Sequence, residues 1–353
     1  MDGSDRRIIT IRNEILMKIA LCQINPTVGA LDDNKALILS KYKEAVENGA
    51  DLVVFPEMVI TGYPIADLLY EDGFVDENMK VLGEIADKST VPLILGYINK
   101  DKEHLFNSAA VCVNGKQVYH YDKILLPTYD VFDEDRYFTA GKDIGLCKVE
   151  IGGETVKLGL EICEDLWDDE YECKVSSELK KAGADCIINI SASPYHELRL
   201  NERLDLVRSK VQETNIPFYY CNLVGAQDEL IFDGQSIAMN GEGALVGLGT
   251  IFLEEIIYID NEDDSTVELH QKSREAELYD ALVLGVKDYF RKTGHNEAVI
   301  GLSGGIDSSL VACIAVDALG AENVHGVSMP SVYSSEHSKD DAHALAENLG
   351  IDY

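Results

Sequence analysis

The sequence holds no C-x-x-C pair among its eight cysteines, Cys22, Cys112, Cys147, Cys163, Cys173, Cys186, Cys221 and Cys313, and several of these sit inside apolar runs. That usage excludes a zinc knuckle or a disulfide framework and fits a reduced, intracellular chain. No apolar run approaches the about 18 residues a membrane-spanning helix needs, and residues 1–16 carry charges throughout with no apolar signal core. Cations are scarce, with 30 Lys and Arg against 63 Asp and Glu and a formal charge of −33. A surplus of that sign repels phosphate backbones and anionic lipid surfaces, so neither nucleic acid nor a membrane is an expected partner. Repeats and low-complexity tracts are absent as well. The expected location is the cytoplasm.

What is present is ample core material: 46% apolar against 26% charged residues in 353 positions, enough for roughly two domains of about 150 residues each. From Met17 onward, short apolar runs alternate with amphipathic stretches, the pattern of an α/β protein. MKIALCQI reads as a strand, the stretch carrying Leu39, Tyr42, Ala45 and Val46 as a helix, and DLVVFPE (51–57) as a strand ending in a carboxylate. VPLILGYI (91–98), SAAVCVN (108–114) and KQVYHYDK (116–123) are adjacent strands, the last two joined at Asn114-Gly115 by a tight hairpin signal. TVKLGLEIC (155–163), ADCIINISAS (184–193), PFYYCNLV and the strands around 236–248 follow, with helices at SSELKKAG and 201–214. Residues 259–274 turn polar and acidic without an apolar period and read as a linker, dividing a domain at 17–258 from a second α/β unit at 275–353. That second unit stops at Tyr353, short of the about 100–150 residues of a typical domain, and is expected to be incomplete. Residues 1–16 read as an extension.

Three segments of the first domain each end an apolar strand with a reactive side chain: Glu57 in VVFPEMVITGYP, Lys123 in YHYDKILLPTYDVFDEDRYF, and Cys163 in KLGLEICEDLWDD. Taken singly, each has an ordinary reading: a cysteine in an apolar run is a small core residue, and a strand-end Glu or Lys is a solvated charge. A thiol with an ordinary pKa near 8.5 attacks an amide only with a base or a cation beside it, which Glu57 and Lys123 would supply.

Together these words resemble the nitrilase superfamily, and most closely the glutaminase domain at the N-terminus of glutamine-dependent NAD synthetases, over Met17 to about residue 258. The resemblance implies a four-layer αββα sandwich in which Glu57 is the general base, Lys123 the cationic stabiliser and Cys163 the nucleophile. It further implies that Tyr129 and Ser193 hold the amino-acid head of glutamine, that Glu134 is an accessory carboxylate, and that Tyr63, Phe132 and Glu164 line the pocket; for the aromatics, simple packing is the competing reading. After SASPYH the family runs into a Gly-Lys pair, whereas this chain has Glu197, Leu198 and Arg199, with Arg199 in register with the family's basic residue.

In the second unit, Gly301, Leu302, Ser303, Gly304, Gly305, Ile306, Asp307, Ser308 and Ser309 follow a buried strand and open a helix. Glycines permit close backbone approach, a helix N-terminus attracts anions, and serine hydroxyls add donors. The spacing matches neither a Walker A loop nor G-x-G-x-x-G. S-G-G-x-D-S here resembles the signature of N-type ATP pyrophosphatases, a partial Rossmann-like domain that binds ATP, and the downstream MPS.YSS resembles its NAD synthetase version. Asp307 beside a pyrophosphate calls for a cation, so it is the candidate Mg²⁺ ligand, with capping of the next helix as the alternative. Both halves together imply an amidotransferase; the resemblance implies that glutamine is hydrolysed at one site and nicotinate adenine dinucleotide adenylated with ATP at the other, with ammonia passing between them to yield NAD, in a homo-oligomer. A stand-alone nitrilase-type amidase or glutaminase, a truncated chain active only as a glutaminase, and a non-catalytic binding protein are the competing readings.

Overall fold

In the computed structural model, residues 17–102, 104–261, 265–269, 272–331, 333 and 335–353 are described. The extension read at residues 1–16 and parts of the segment read as linker lie outside them. The first half of the chain forms β1 (Lys18–Gln23), α1 (Leu31–Glu47), β2 (Leu52–Val54), α2 (Phe74–Ala86), β3 (Leu93–Asp101), β4 (His104–Val113) and β5 (Lys116–Asp122). Then come β6 (Gly145–Ile151), β7 (Glu154–Ile162), α3 (Val175–Ala182), β8 (Cys186–Ser191), α4 (Arg199–Thr214), β9 (Phe218–Asn222), β10 (Val224–Gln227), β11 (Leu230–Asp233), β12 (Ile237–Met239), β13 (Leu245–Leu248) and β14 (Glu255–Asp260).

Two six-stranded sheets result, in the orders β14-β1-β2-β3-β4-β5 and β13-β12-β9-β8-β7-β6. Their central strands run parallel, β1 with β2 and β3 in one, β7 with β8 and β9 in the other. Such strands are covered on both faces, which is why they read as unbroken apolar runs. Along β1 the two faces separate by alternation: Ile19 and Leu21 enter the core between the sheets with Leu158, Leu160, Ile188 and Ile237, while Ala20 and Cys22 meet Ile38, Tyr42, Val81 and Ile85 of α1 and α2. Helices α3 and α4 cover the second sheet through Val175, Leu179, Leu204 and Val207. The layers are therefore helix, sheet, sheet, helix, as the resemblance implied.

Local chemistry accounts for the hairpin between β4 and β5. Asn114 (φ 49°) and Gly115 (φ 81°) both take the left-handed conformation that a two-residue Asn-Gly turn demands. The structure departs from the sequence reading in several places, and β6 and β11 are strands that it did not contain. Residues 74–86 form α2, which the reading passed over although Val75, Val81, Leu82 and Ile85 share a buried face. β2 stops at Val54, so Glu57 stands on a turn beyond the strand. β14 carries the chain through Asp260, opposite Lys18, into the segment taken as linker, because its antiparallel pairing with β1 is non-local and leaves no signal in an acidic, weakly alternating stretch.

Beyond it, α5 (Arg274–Thr293) leads to β15 (Ala298–Gly301), α6 (Ile306–Leu319), β16 (Val324–Val327) and α7 (Glu336–Leu349). β15 and β16 pair in parallel, and Leu302, Ala312, Ala315, Val324, Ala342 and Ala346 form a small core. Helix α5 is tied to the first unit by Asp288, which accepts from Asn25 Nδ2 at 2.7 Å and from the Ala226 amide at 2.8 Å. Lys292 donates to the Pro26 and Ala226 carbonyls at 3.0 and 2.8 Å, and burial pulls its pKa down to about 8. No helix among the described residues is long and apolar enough to cross a membrane.

Candidate active site

Glu57, Lys123 and Cys163 arrive from different strands. Glu57 lies on the turn after β2, pressed against β3 at Gly96, where a Cβ would stand 2.2 Å from the Met58 nitrogen and 2.6 Å from the Glu57 carbonyl carbon. Only glycine permits that approach. Lys123 follows β5, its amide donating to the Asn107 carbonyl at 2.9 Å. Cys163 follows β7 and opens a short 3-10 turn with φ +43°, a strained conformation for a residue with a Cβ, of the kind that costs about 1–3 kcal/mol and concentrates at functional sites.

The side chains meet in a closed polar cluster. Lys123 Nζ lies 2.9 Å from Glu57 Oε1 and 2.9 Å from both Glu134 oxygens. Asn107 Nδ2 donates to Glu57 Oε1 at 2.6 Å, the Ala192 amide to Glu57 Oε2 at 2.8 Å, and the Tyr63 hydroxyl to Glu134 Oε1 at 3.0 Å. All of these side chains are buried, and the thiol of Cys163 is 6% exposed. Burial works against the Lys123 ammonium, but Glu134 and Glu57 outweigh it and hold its pKa well above the ordinary lysine value. For Cys163, burial and then Glu57 push the thiol well above its ordinary value, with Lys123 pulling the other way. The resting sulfur thus keeps its proton, because burial and Glu57 outweigh the pull of Lys123. Attack from such a thiol requires a base to take the proton as the bond forms.

Around this cluster, Glu164 accepts from the Tyr129 hydroxyl at 2.9 Å and from the Tyr171 hydroxyl at 3.0 Å. Phe132 sets its ring edge-on to Tyr129, 5.6 Å between centroids, and Tyr63 does the same with Phe232 at 6.2 Å. Tyr129 is half exposed, so this is the open side. Ser193 is buried next to Ala192; its hydroxyl and carbonyl accept from Arg203 Nη2 at 3.2 and 2.9 Å, and Arg203 is locked to Asp233 at 2.8 Å. Arg199 stacks over the Trp167 ring at 4.5 Å and pairs with Glu202 at 3.2 Å, while its shielded Nε has no partner. The structure therefore gathers Glu57, Lys123, Glu134 and Tyr63 into one hydrogen-bonded network with Cys163 in its field. Tyr129, Phe132 and Glu164 form a second group beside it.

Sequence reasoning missed Asn107, Arg203 and Asp165. Asn107 is one polar residue inside β4, Arg203 looks like any cation of an amphipathic helix, and Asp165 is hidden in an acidic word. Only the buried partners they meet distinguish them.

The second unit carries its own constellation, apart from the first. A cavity of about 180 Å³ is lined by Gly301, Leu302, Ser303, Met329, Ser338 and Lys339 among others. Gly304 takes φ +76°, and a Cβ there would lie 2.2 Å from the Ser338 carbonyl oxygen, so the loop closes on the start of α7 only with glycine. The hydroxyls of Ser308 and Ser309 donate to the Gly305 carbonyl at 3.0 and 2.9 Å, and Ser303 Oγ meets Ser308 Oγ at 3.1 Å. Ile306 and Asp307 are exposed in the first turn of α6. Gly305 occupies the capping position, so the alternative of Asp307 as the helix cap does not describe this turn. Among the described residues, no group of three or more His, Cys, Asp or Glu side chains could hold a metal ion.

A four-layer sandwich with a buried Glu, Lys and Cys is accompanied by a matching sequence class. Residues 18–271 match the carbon-nitrogen hydrolase family, and the chain belongs to it. Residues 278–353 match the NAD synthase family. Among individual proteins, the chain is 41% identical to the glutamine-dependent NAD(+) synthetase of Synechocystis sp., over 95% of this chain and 63% of the relative. It is 40% identical to that of Thermotoga maritima, over 95% and 64%. The solved glutamine-dependent NAD+ synthetase of Acinetobacter baumannii, in complex with adenosine diphosphate, superposes with a TM-score of 0.88 at 33% identity, covering 95% of this chain and 64% of that one. An amidase from Nesterenkonia sp. shares the fold, with a TM-score of 0.61 at 23% identity over 77% and 98% of the two chains. The chain spans less than two thirds of the length of the curated relatives it matches.

Proposed function

We propose that the chain is the glutamine-hydrolysing part, with the first portion of the ATP-dependent part, of a glutamine-dependent NAD synthetase. The observation that carries this is the buried Glu57–Lys123–Glu134 cluster in whose field the Cys163 thiol lies. In the reaction, Glu57 takes the Cys163 proton as sulfur attacks the carboxamide carbon of glutamine, and the oxyanion that forms is stabilised by Lys123. Glu57 returns the proton to the departing nitrogen, ammonia leaves, and a thioester remains on sulfur. Water activated by Glu57 then cleaves the thioester, releasing glutamate and restoring the thiol. Glu164, Tyr129, Phe132, Ser193 and Arg199 form the wall that takes the amino-acid head group; Arg199, stacked on Trp167 with one shielded N–H unpartnered, suits a carboxylate.

In the second unit, residues 301–309 take the phosphates of ATP. The exposed Asp307 fits Mg²⁺, an ion held by one or two carboxylates together with phosphate oxygens and water, and it would fix the phosphates' orientation there. The acceptor is nicotinate adenine dinucleotide. The division into a first unit, read at 17–258 and carried to Asp260 by β14, and a second at 275–353, a homo-oligomeric state and a cytoplasmic location belong to the same proposal; the eight unpaired cysteines support the last.

The test is release of glutamate and ammonia from glutamine, with and without ATP, Mg²⁺ and nicotinate adenine dinucleotide. Cys163→Ala is expected to abolish glutamate release and Asp307→Ala to leave it intact. Hydrolysis that survives Cys163→Ala refutes the proposal. A chain that prefers another amide and binds no ATP would be a plain amidase, the reading the Nesterenkonia fold permits.

A further inference from the structure

Cys163 and Lys123 stand at the ends of strands in two different sheets, β7 and β5, and no backbone ladder joins those sheets. The distance between thiol and ammonium is therefore not set by strand register. Beside the Tyr129–Glu164 bond at the open side, one buried side chain spans the gap. Asp165 is fully buried; its Oδ2 accepts from the Ile162 amide at 2.9 Å and from the Tyr121 hydroxyl at 2.8 Å, and its Oδ1 accepts from the Leu125 amide at 2.9 Å and the Ile124 amide at 3.2 Å. Ile162 immediately precedes Cys163, Ile124 immediately follows Lys123, and Tyr121 lies on β5 two residues before it.

We propose that Asp165 is the positioning residue that holds the Cys163 turn against the Lys123 segment, and so fixes the placement of nucleophile and cation. The inference rests on the roles proposed for Cys163 and Lys123. An ionised carboxylate is an acceptor only, with about four lone-pair sites, and all four here meet donors, two from the lysine segment's backbone, one from the strand leading to it and one from the nucleophile turn. An amide in its place presents N–H groups to two of those donors and pushes the segments apart. Burial moves the Asp165 carboxyl up to about 6, which leaves it ionised at neutral pH. The same grip on Ile162 helps hold Cys163 in its left-handed conformation, since the Ile162 N–H would otherwise be an orphan at the head of the 3-10 turn. Asp165 touches neither substrate nor sulfur in this scheme. Its effect is geometric, and displacements of about 1 Å at reacting groups cost about 100-fold in rate.

The experiment compares Asp165→Asn, Tyr121→Phe and a remote core variant, Ile85→Val, with the parent chain. Each is assayed for kcat and KM in glutamine hydrolysis, for thermal unfolding, and for the rate of Cys163 alkylation by iodoacetamide as a function of pH. Asp165→Asn is expected to lower kcat about 100-fold with KM changed less than threefold, and to move the alkylation curve to higher pH as the thiol loses Lys123 to the facing Glu57, Glu134 and Glu164. Tyr121→Phe removes one donor, keeps the carboxylate, and shifts both readouts in the same direction by less. Ile85→Val lowers the melting temperature without moving the alkylation curve. A folded Asp165→Asn with parental kcat and alkylation curve overturns the proposal. Should that variant not fold, Tyr121→Phe decides it: parental kcat and alkylation curve overturn it equally. Loss of activity in Cys163→Ala together with those results would leave the nucleophile assignment standing and sink the positioning role alone.

Discussion

Replacing Lys123 by Met probes the centre of the site with two separable readouts. The ammonium lies 2.9 Å from one oxygen of Glu57 and from both of Glu134, with all three side chains buried. At an effective dielectric of 20, a separation of that size is worth about 6 kcal/mol of attraction per carboxylate, most of which offsets the desolvation of the three charges. Breaking such a pair from one side leaves buried charge without compensation and costs about 3–5 kcal/mol. Lys123→Met should therefore unfold at markedly lower urea. The remaining contacts, from Asn107, Ala192 and Tyr63, are neutral donors and do not cancel the two carboxylates. Adding Glu134→Gln removes one of the carboxylates and should restore most of that stability. Activity should not follow. Loss of a single oxyanion-stabilising group costs about 100- to 1,000-fold in kcat, and the double variant still lacks the cation. Urea denaturation and coupled glutamate detection on the single and double variants make the check. A double variant that regains kcat to within tenfold of the parent refutes the catalytic role of Lys123. A single variant as stable as the parent refutes the electrostatic account of the cluster.

Two further outcomes are expected. Burial raises the carboxyl of Glu161, on β7 two residues before Cys163, to about 8, so between its ordinary value and pH 8 the folded chain holds a proton that the unfolded chain has released. This group's contribution to stability therefore falls as pH rises through that window, by up to about 1.4 kcal/mol per pH unit, and levels off above it. Glu161→Gln, neutral throughout, should gain on the parent from pH 5.5 to 8 in urea midpoints and run parallel above; parallel curves across the whole range would show the carboxyl is not protonated in the fold. In the second unit, Gly304→Ala places a Cβ 2.2 Å from the Ser338 carbonyl oxygen at φ +76°. It should weaken ATP binding measured by calorimetry at least about tenfold, through strain in a left-handed residue, while glutamate release is unchanged. Unaltered ATP affinity would separate this loop from nucleotide binding.

The sequence by itself determined the elements whose signals are local. The apolar runs of β1, β7, β8 and β9 announce strands covered on both faces, and the Asn114-Gly115 pair announces a two-residue hairpin, because φ > 0 at both positions is a property of those residue types. The second Asn-Gly pair, at 240–241, also turns the chain between β12 and β13, but in a different register: the Gly243 amide donates to the Asn240 carbonyl at 3.0 Å and the Ala244 amide to Asn240 Oδ1 at 2.9 Å. Glu57, Lys123, Cys163 and the loop at 301–309 were legible only through the resemblance of the words around them, since each side chain taken singly has an ordinary structural use. Tertiary structure alone decided what those words amount to. β14 returns to the edge of the first sheet beside β1, a pairing no period in either strand encodes. Glu134 shares Lys123 with Glu57, and burial together with Glu57 holds the Cys163 thiol well above its ordinary value against the opposing pull of Lys123. Asp165 has its meaning only where segments from two stacked sheets converge in a dry interior, and Asn107 only where the turns beyond β2 and β5 meet β4. Hydrogen bonds and charges across a sheet interface depend on distances set by packing, and packing is fixed by the sum of all the buried surfaces, not by any stretch of chain that meets there.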